Sequence, residues 1–188
     1  MTEPPASAGV PEMPPLHATV RDGRSVTIRP VRPGDAGAME AAFARLSEEA
    51  RYTRFMAPLN ALPPAMLRKA VRPADSERAL VAVAGEGAHG IIVGGARYAV
   101  GPDPATCEFA VTIAEDWRGT GLASRLLREL IRDARTRGLK RMEGYVLARN
   151  TPMLDLARRL GFEAGASEEG PSVRLVALDL GRAGEAET

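Results

Sequence analysis

Between residues 106 and 114 the chain reads TCEFAVTIA, and apolar positions alternate along it. Cys107, Phe109, Val111 and Ile113 share one face, while Glu108, Ala110 and Thr112 share the other, which predicts a strand. From Leu122 the period changes. Leu122, Leu126, Leu127, Leu130, Ile131 and Ala134 form a stripe at helical spacing, with Arg125, Arg128, Arg132 and Asp133 on the polar side, so a helix is expected over 122–137. The KRMEGYVLA run at 140–148 predicts another strand, and Thr151-Pro152 opens a helix that runs to Leu160 and stops at Gly161. A last alternating run, SVRLVALDL at 172–180, predicts the closing strand.

Upstream, an Asp-Gly pair inside HATVRDGRSVTIRPV marks a hairpin. Residues 35–56 read as helix, with Asp35 as N-cap and a break near Ser47; a second helix follows Pro63-Pro64 through AMLRKAV. RALVAVA and GIIVGGARYAV are strand-like and are separated by a glycine-rich turn. Strands before helices, then β-α-β-α-β, indicate an α/β layered domain built on a mixed sheet.

Composition narrows the class. The 188 residues suit one domain, and 45% hydrophobic with 26% charged residues is ordinary for a globular protein. Twenty-five basic against 24 acidic residues give a net charge of +1, which provides no electrostatic footprint for nucleic acid. Cys107 is the single cysteine, and His17 and His89 are far apart, so neither a disulfide nor a metal site is expected. No apolar run is long enough for a membrane span, and the first residues lack a signal peptide's basic start and apolar core, so a cytoplasmic protein is expected. Five prolines within residues 1–17 predict a disordered tail, 18–180 form the domain, and 181–188 form a second tail.

Two features carry chemistry. Glu108 points away from the apolar face of its strand. If the strand is central, Glu108 is a partly buried carboxylate that needs a partner or a task; otherwise it is a strand-end residue reaching solvent or an arginine. The second feature is DWRGTGLA at 116–123, where two glycines join the strand to the 122–137 helix. A glycine-rich turn leading into a helix N-terminus offers free amides to an anion. An ordinary tight turn has the same spelling. The spacing fits neither the dinucleotide fingerprint nor a P-loop.

Arg118-Gly119-Thr120-Gly121-Leu122-Ala123 fits the Q/R-x-x-G-x-G/A acyl-CoA signature, and with ARNTPMLDLARRLGF downstream the chain resembles the GNAT acetyltransferase superfamily over about residues 26–180. VTIRPVRPGDA, SEEARYTRFM and CEFAVTIAEDWRGTGLASRLL are similar to the GNAT domain of bacterial protein lysine acetyltransferases of the Pat type, which acetylate AMP-forming acyl-CoA synthetases. The resemblance implies a mixed, mostly antiparallel sheet of six to seven strands flanked by about four helices. It implies acetyl-CoA as co-substrate, with no metal. The pyrophosphate would rest on amides of Gly119, Thr120, Gly121, Leu122, Ala123 and Ser124, beside the Arg118 side chain. The pantetheine arm would follow Ala110, Val111 and Thr112, where the family has a bulge, with an amide at Val111 on the thioester carbonyl; Asn150 and Met153 would contact the arm. Glu108 matches the catalytic glutamate of the Pat type, a base whose pKa burial would raise. Ala157 stands where many relatives have a tyrosine that acts as general acid, a departure shared by Pat-type sequences.

The implied activity is acetyl transfer to an amine, in particular a protein lysine of an acyl-CoA synthetase-like partner, by a monomer or homodimer without nucleic-acid or membrane partners. A small-molecule amine acceptor and a non-catalytic acyl-CoA sensor are the alternatives. Among other residues, Cys107 and Tyr145 read as core, and Trp117 as packing beside the turn. Tyr52, Arg54 and Phe55 lie where the superfamily shapes its acceptor site, and Glu48 and Glu49 read as a solvated helix face.

Overall fold

The Asp22-Gly23 pair turns the chain back on itself, with Gly23 at φ +87°, and so joins β1 (Leu16–Thr19) to β2 (Ser25–Pro30). The computed structural model describes residues 13–85 and 90–181. His89, most of the glycine-rich turn before it, residues 1–12 of the expected N-terminal tail and residues 182–188 of the C-terminal tail lie outside the described residues. Within the described part of the N-terminal tail, Leu16 and His17 are already in β1.

The remaining elements are α1 (Ala36–Ala44), α2 (Glu48–Phe55), α3 (Pro64–Ala70), β3 (Glu77–Ala84), β4 (Ile91–Val100), β5 (Thr106–Ile113), α4 (Leu122–Thr136), β6 (Arg141–Leu147), α5 (Thr151–Arg159), β7 (Glu163–Ala166) and β8 (Val173–Asp179). Among the described residues, eight strands form one sheet in the order β1-β2-β3-β4-β5-β6-β8-β7. Neighbours are antiparallel except for β5 and β6. The sheet therefore has one strand more than the upper expectation, and five α-helices flank it among the described residues. The additional strand, β7, reads Glu-Ala-Gly-Ala and is exposed throughout, so it carries no apolar alternation to reveal it.

The two faces of the sheet are covered differently. Leu122, Leu126, Leu127 and Leu130 of α4 are essentially inaccessible and pack with Tyr98, Cys107, Phe109, Met142 and Val176 in the main core. On the opposite face, Met39 and Ala42 of α1 and Leu67 of α3 pack over Val81 and Ile92 in a second, smaller cluster. Among the described residues no comparable apolar cluster covers that face across β6; there Tyr145, expected in the core, is 37% exposed.

Asp35 stands at the N-cap of α1, but its carboxylate makes no cap bond. It accepts instead from Arg29 at 2.8 and 2.7 Å and from the Arg32 amide at 2.7 Å, and the Arg29 guanidinium holds its pKa below the ordinary carboxylate value. Ser47 does cap α2 at the expected break, accepting from the Ala50 amide at 3.2 Å. Asp133, expected on the polar face of α4, is half-buried. It accepts from the Tyr98 hydroxyl and pairs with Arg78 at 2.7 Å and Arg137 at 3.0 Å, tying α4 to β3 and β4.

Candidate active site

β5 and β6 are parallel, yet they pair only through Thr106–Glu108 against Arg141–Glu143. No ladder joins them beyond Glu108, so the interval between the two strands lies at their C-terminal halves. Because the strands run the same way, the turns into α4 and α5 leave from the same end of the sheet. This places two helix N-termini and one interval between strands together, the arrangement that suits a ligand with an anionic end and an extended arm. Gly144 on β6 faces the Phe109 ring, and a Cβ added there would lie 2.7 Å from the ring. Phe109 also packs on Phe162, with ring centroids 5.2 Å apart.

β5 itself runs in unbroken register against β4, from Cys107 opposite Val100 to Ile113 opposite Gly94. The bulge expected in β5 is not found in that pairing; the register shift lies between β3 and β4, at Ala82 and Val83. Ala110 and Thr112 line a cavity described below, and Val111 packs toward the main core.

After β5 a 3₁₀ turn at Glu115–Trp117 leads into the glycines. Gly119 has φ +76° and Gly121 φ +88°, backbone conformations that side-chain-bearing residues rarely adopt. Between them Thr120 is buried, and its hydroxyl donates to the Trp117 carbonyl at 2.7 Å. Gly121 is the N-cap of α4 and offers no side-chain acceptor, so no side chain caps the amides of the first turn. The Arg118 side chain is exposed beside them. Trp117 is buried, as expected of packing beside the turn, with the Arg24 guanidinium 3.7 Å from its ring centroid.

At the second helix, Asn150 is the N-cap of α5, and its side-chain oxygen accepts from the Met153 amide at 3.3 Å. Met153 is half-buried against the main core. Ala157, at the position of the absent tyrosine, is buried.

Glu108 departs from expectation: it is exposed, not partly buried. Its register neighbours across the sheet are Ala99 on β4 and Glu143 on β6. Glu143, Glu108, Glu169 and Glu168 all raise the pKa of Tyr145, after the larger effect of desolvation, so that phenol stands among four carboxylates on the uncovered face. Cys107, by contrast, is fully buried, and desolvation pushes its thiol up to about 12, in keeping with a core residue.

Of Tyr52, Arg54 and Phe55 on α2, expected where the acceptor site is shaped, Tyr52 is exposed, while Arg54 and Phe55 face a cavity that the sequence does not reveal. The cavity, of 320 Å³, is bordered by α1, α2, α3 and the sheet, with Ala110 and Thr112 of β5 among its other walls. A cavity formed between separate elements leaves no local pattern in any one of them.

Comparison with known proteins decides the family. Residues 41–162 match the acetyltransferase (GNAT) family. The chain belongs to that family. An acetyltransferase of Pseudomonas aeruginosa is 38% identical over 142 residues, covering 75% of this chain and 76% of its own. The acetyltransferase Pat of Mycolicibacterium smegmatis is 32% identical over 148 residues, covering 78% of this chain and 44% of its own, so the chain spans under half of that relative. The crystal structure of the GNAT domain of S. lividans PAT superposes with a TM-score of 0.80 at 24% identity, covering 89% of this chain and 99% of that one. The fold and the acetyltransferase class are thereby shown. The family uses acetyl-CoA as co-substrate, and the uncapped glycine turn and the β5–β6 interval fit it.

Proposed function

We propose that this GNAT protein transfers acetyl from acetyl-CoA directly to the ε-amine of a protein lysine, and that an AMP-forming acyl-CoA synthetase is such a substrate. The observation that carries the reading is the uncapped glycine turn at the open end of β5 and β6, with Glu108 on the exposed face of the same strand. The likeness to Pat supports the acceptor class.

In this reading the amides of residues 119–124 and the Arg118 guanidinium hold the pyrophosphate, where the dipole of α4 also favours negative charge. The arm runs along Ala110, Val111 and Thr112, with Asn150 and Met153 on its other side. An amide at Val111 donates to the thioester oxygen as it gains charge. The lysine must first lose a proton, because its ordinary pKa is about 10.4. Glu108 accepts the proton that the attacking amine releases, directly or through water, and Glu108 with the exposed Glu168 and Glu169 near Tyr145 draws the cationic side chain in. The C–N bond forms, the C–S bond breaks, and the departing thiolate is reprotonated from water, since Ala157 has no proton to give.

The test is incubation of the full chain with labelled acetyl-CoA and AMP-forming acyl-CoA synthetases, followed by mass mapping of lysines. Label on a synthetase lysine supports the reading. Label on small amines but on no synthetase would assign the protein to small-molecule acetylation, and acetyl-CoA binding without any transfer would assign it to sensing.

A further inference from the structure

The tip of the β1–β2 hairpin lies against the glycine turn, and its contacts reach both sides of that turn. The Arg21 amide donates to the Thr120 carbonyl at 3.0 Å. The Arg24 guanidinium donates to the Asp116 carbonyl at 2.7 Å and lies over the Trp117 ring, and Arg125 of α4 donates back to the Thr19 carbonyl at 2.8 Å. In a planar trans peptide the carbonyl and the following amide point opposite ways. Holding the Thr120 carbonyl toward the hairpin therefore aims the Gly121 amide away from it, into the open turn. A Cβ built on Gly119 would meet no heavy atom within 4 Å, so the turn has room there.

Arg21 is left over from this packing. Arg24 pairs with Asp22 at 2.7 Å and Arg125 is bonded to Thr19, whereas the exposed side chain of Arg21 makes no hydrogen bond or ion pair among the described residues. Its stem lies along the N-cap of α4: a Cβ built on Gly121 would be 3.4 Å from Arg21 Nε and 3.8 Å from its Cγ and Cδ. A cation at a helix N-terminus has the wrong sign for the helix dipole, which favours cations at the other end. Arg21 thus adds positive charge where the uncapped amides already supply it, an arrangement that an anion relieves.

Resting on the reading that the glycine turn holds acetyl-CoA, we propose that Arg21 is a further cofactor-binding residue, carried to the turn by the β1–β2 hairpin, and that it pairs with a phosphate of coenzyme A. The guanidinium is planar, permanently charged and able to present two parallel N–H donors to phosphate oxygens. The hairpin then has two effects on one ligand: its main chain orients an amide of the turn, and its unpaired arginine adds a side-chain donor beside the same helix end.

Coenzyme A and dephospho-coenzyme A, which lacks the 3′-phosphate, are the probes, and calorimetry on the full chain gives their dissociation constants. At an exposed site such a pairing is at the weak end for charge-assisted bonds, so Arg21→Ala is expected to raise the coenzyme A constant roughly five- to tenfold. Arg21→Lys should keep part of the affinity, and Arg21→Glu should lose more than the alanine variant. All three should melt with the wild type, because the hairpin is held by the Arg21 main chain, Arg24 and Arg125 and not by this side chain. A loss confined to coenzyme A supports pairing with the 3′-phosphate, and an equal loss for both probes supports pairing with the pyrophosphate. Arg128→Ala removes an exposed charge farther along α4 and should leave both constants within about twofold, since salt screens it. Unchanged affinity in Arg21→Ala and Arg21→Glu overturns the proposal, as does a loss that Arg128→Ala reproduces in full. A wild-type chain that binds neither probe defeats the cofactor reading beneath it as well.

Discussion

Glu108 occupies a strand position whose meaning depends on what covers that face. Alternation in TCEFAVTIA placed it opposite Cys107 and Phe109, and the structure keeps that division, with both apolar residues buried and Glu108 exposed. Its proposed use as a base therefore rests on position: the same face as the cavity, beside the open end of β5 and β6. General-base catalysis contributes about 10²–10⁴-fold. Glu108→Gln should therefore lower kcat by about that range while leaving the acetyl-CoA dissociation constant within about twofold, which steady-state kinetics and calorimetry on one preparation would check. Turnover equal to wild type would remove Glu108 from the chemistry.

At the level of elements, the readings that rested on strong local periodicity agree with the structure. The stripe from Leu122 to Ala134 is the buried face of α4, the Asp-Gly pair turns the first hairpin, and Ser47 separates α1 from α2. Other features were hidden for identifiable reasons. β7 has no alternation to read; β1 begins among residues whose prolines suggested a tail; Tyr145 was assigned to the core because a period of two cannot say which face a helix covers. Asp133 fell on the polar side of its helical wheel, yet Tyr98, Arg78 and Arg137 reach it from three places in the sequence. Asn150 illustrates two roles on one side chain, since it caps α5 through its oxygen and is proposed to meet the cofactor arm. Asn150→Ala should cost about 1 kcal/mol of stability through the lost cap. Asn150→Asp keeps the acceptor, so it should melt near wild type yet bind acetyl-CoA several-fold more weakly if the amide group contacts the arm. A denaturation curve together with a binding isotherm separates the two roles, and unchanged affinity in Asn150→Asp would leave only the cap.

For the whole molecule, the sheet divides the labour. Its α4 face is a continuous core; its other face is roofed by α1–α3 over β3 and β4 and bears carboxylates beyond β5. The roofed part borders the Arg54 cavity, the part across β6 is exposed, and Glu108 stands between them. No helix among the described residues is long and apolar enough to cross a membrane. Membership of the GNAT family follows from the family match and the relatives; the direction in which acyl group and amine meet is the part that remains proposed. The most direct test of that central claim is the rate of free coenzyme A thiol release from acetyl-CoA, followed with and without a lysine-bearing acyl-CoA synthetase. The account predicts release that requires the acceptor, saturates with it and matches the lysine acetyl groups formed one for one. Release that is the same without acceptor, or none with any amine offered, would contradict it.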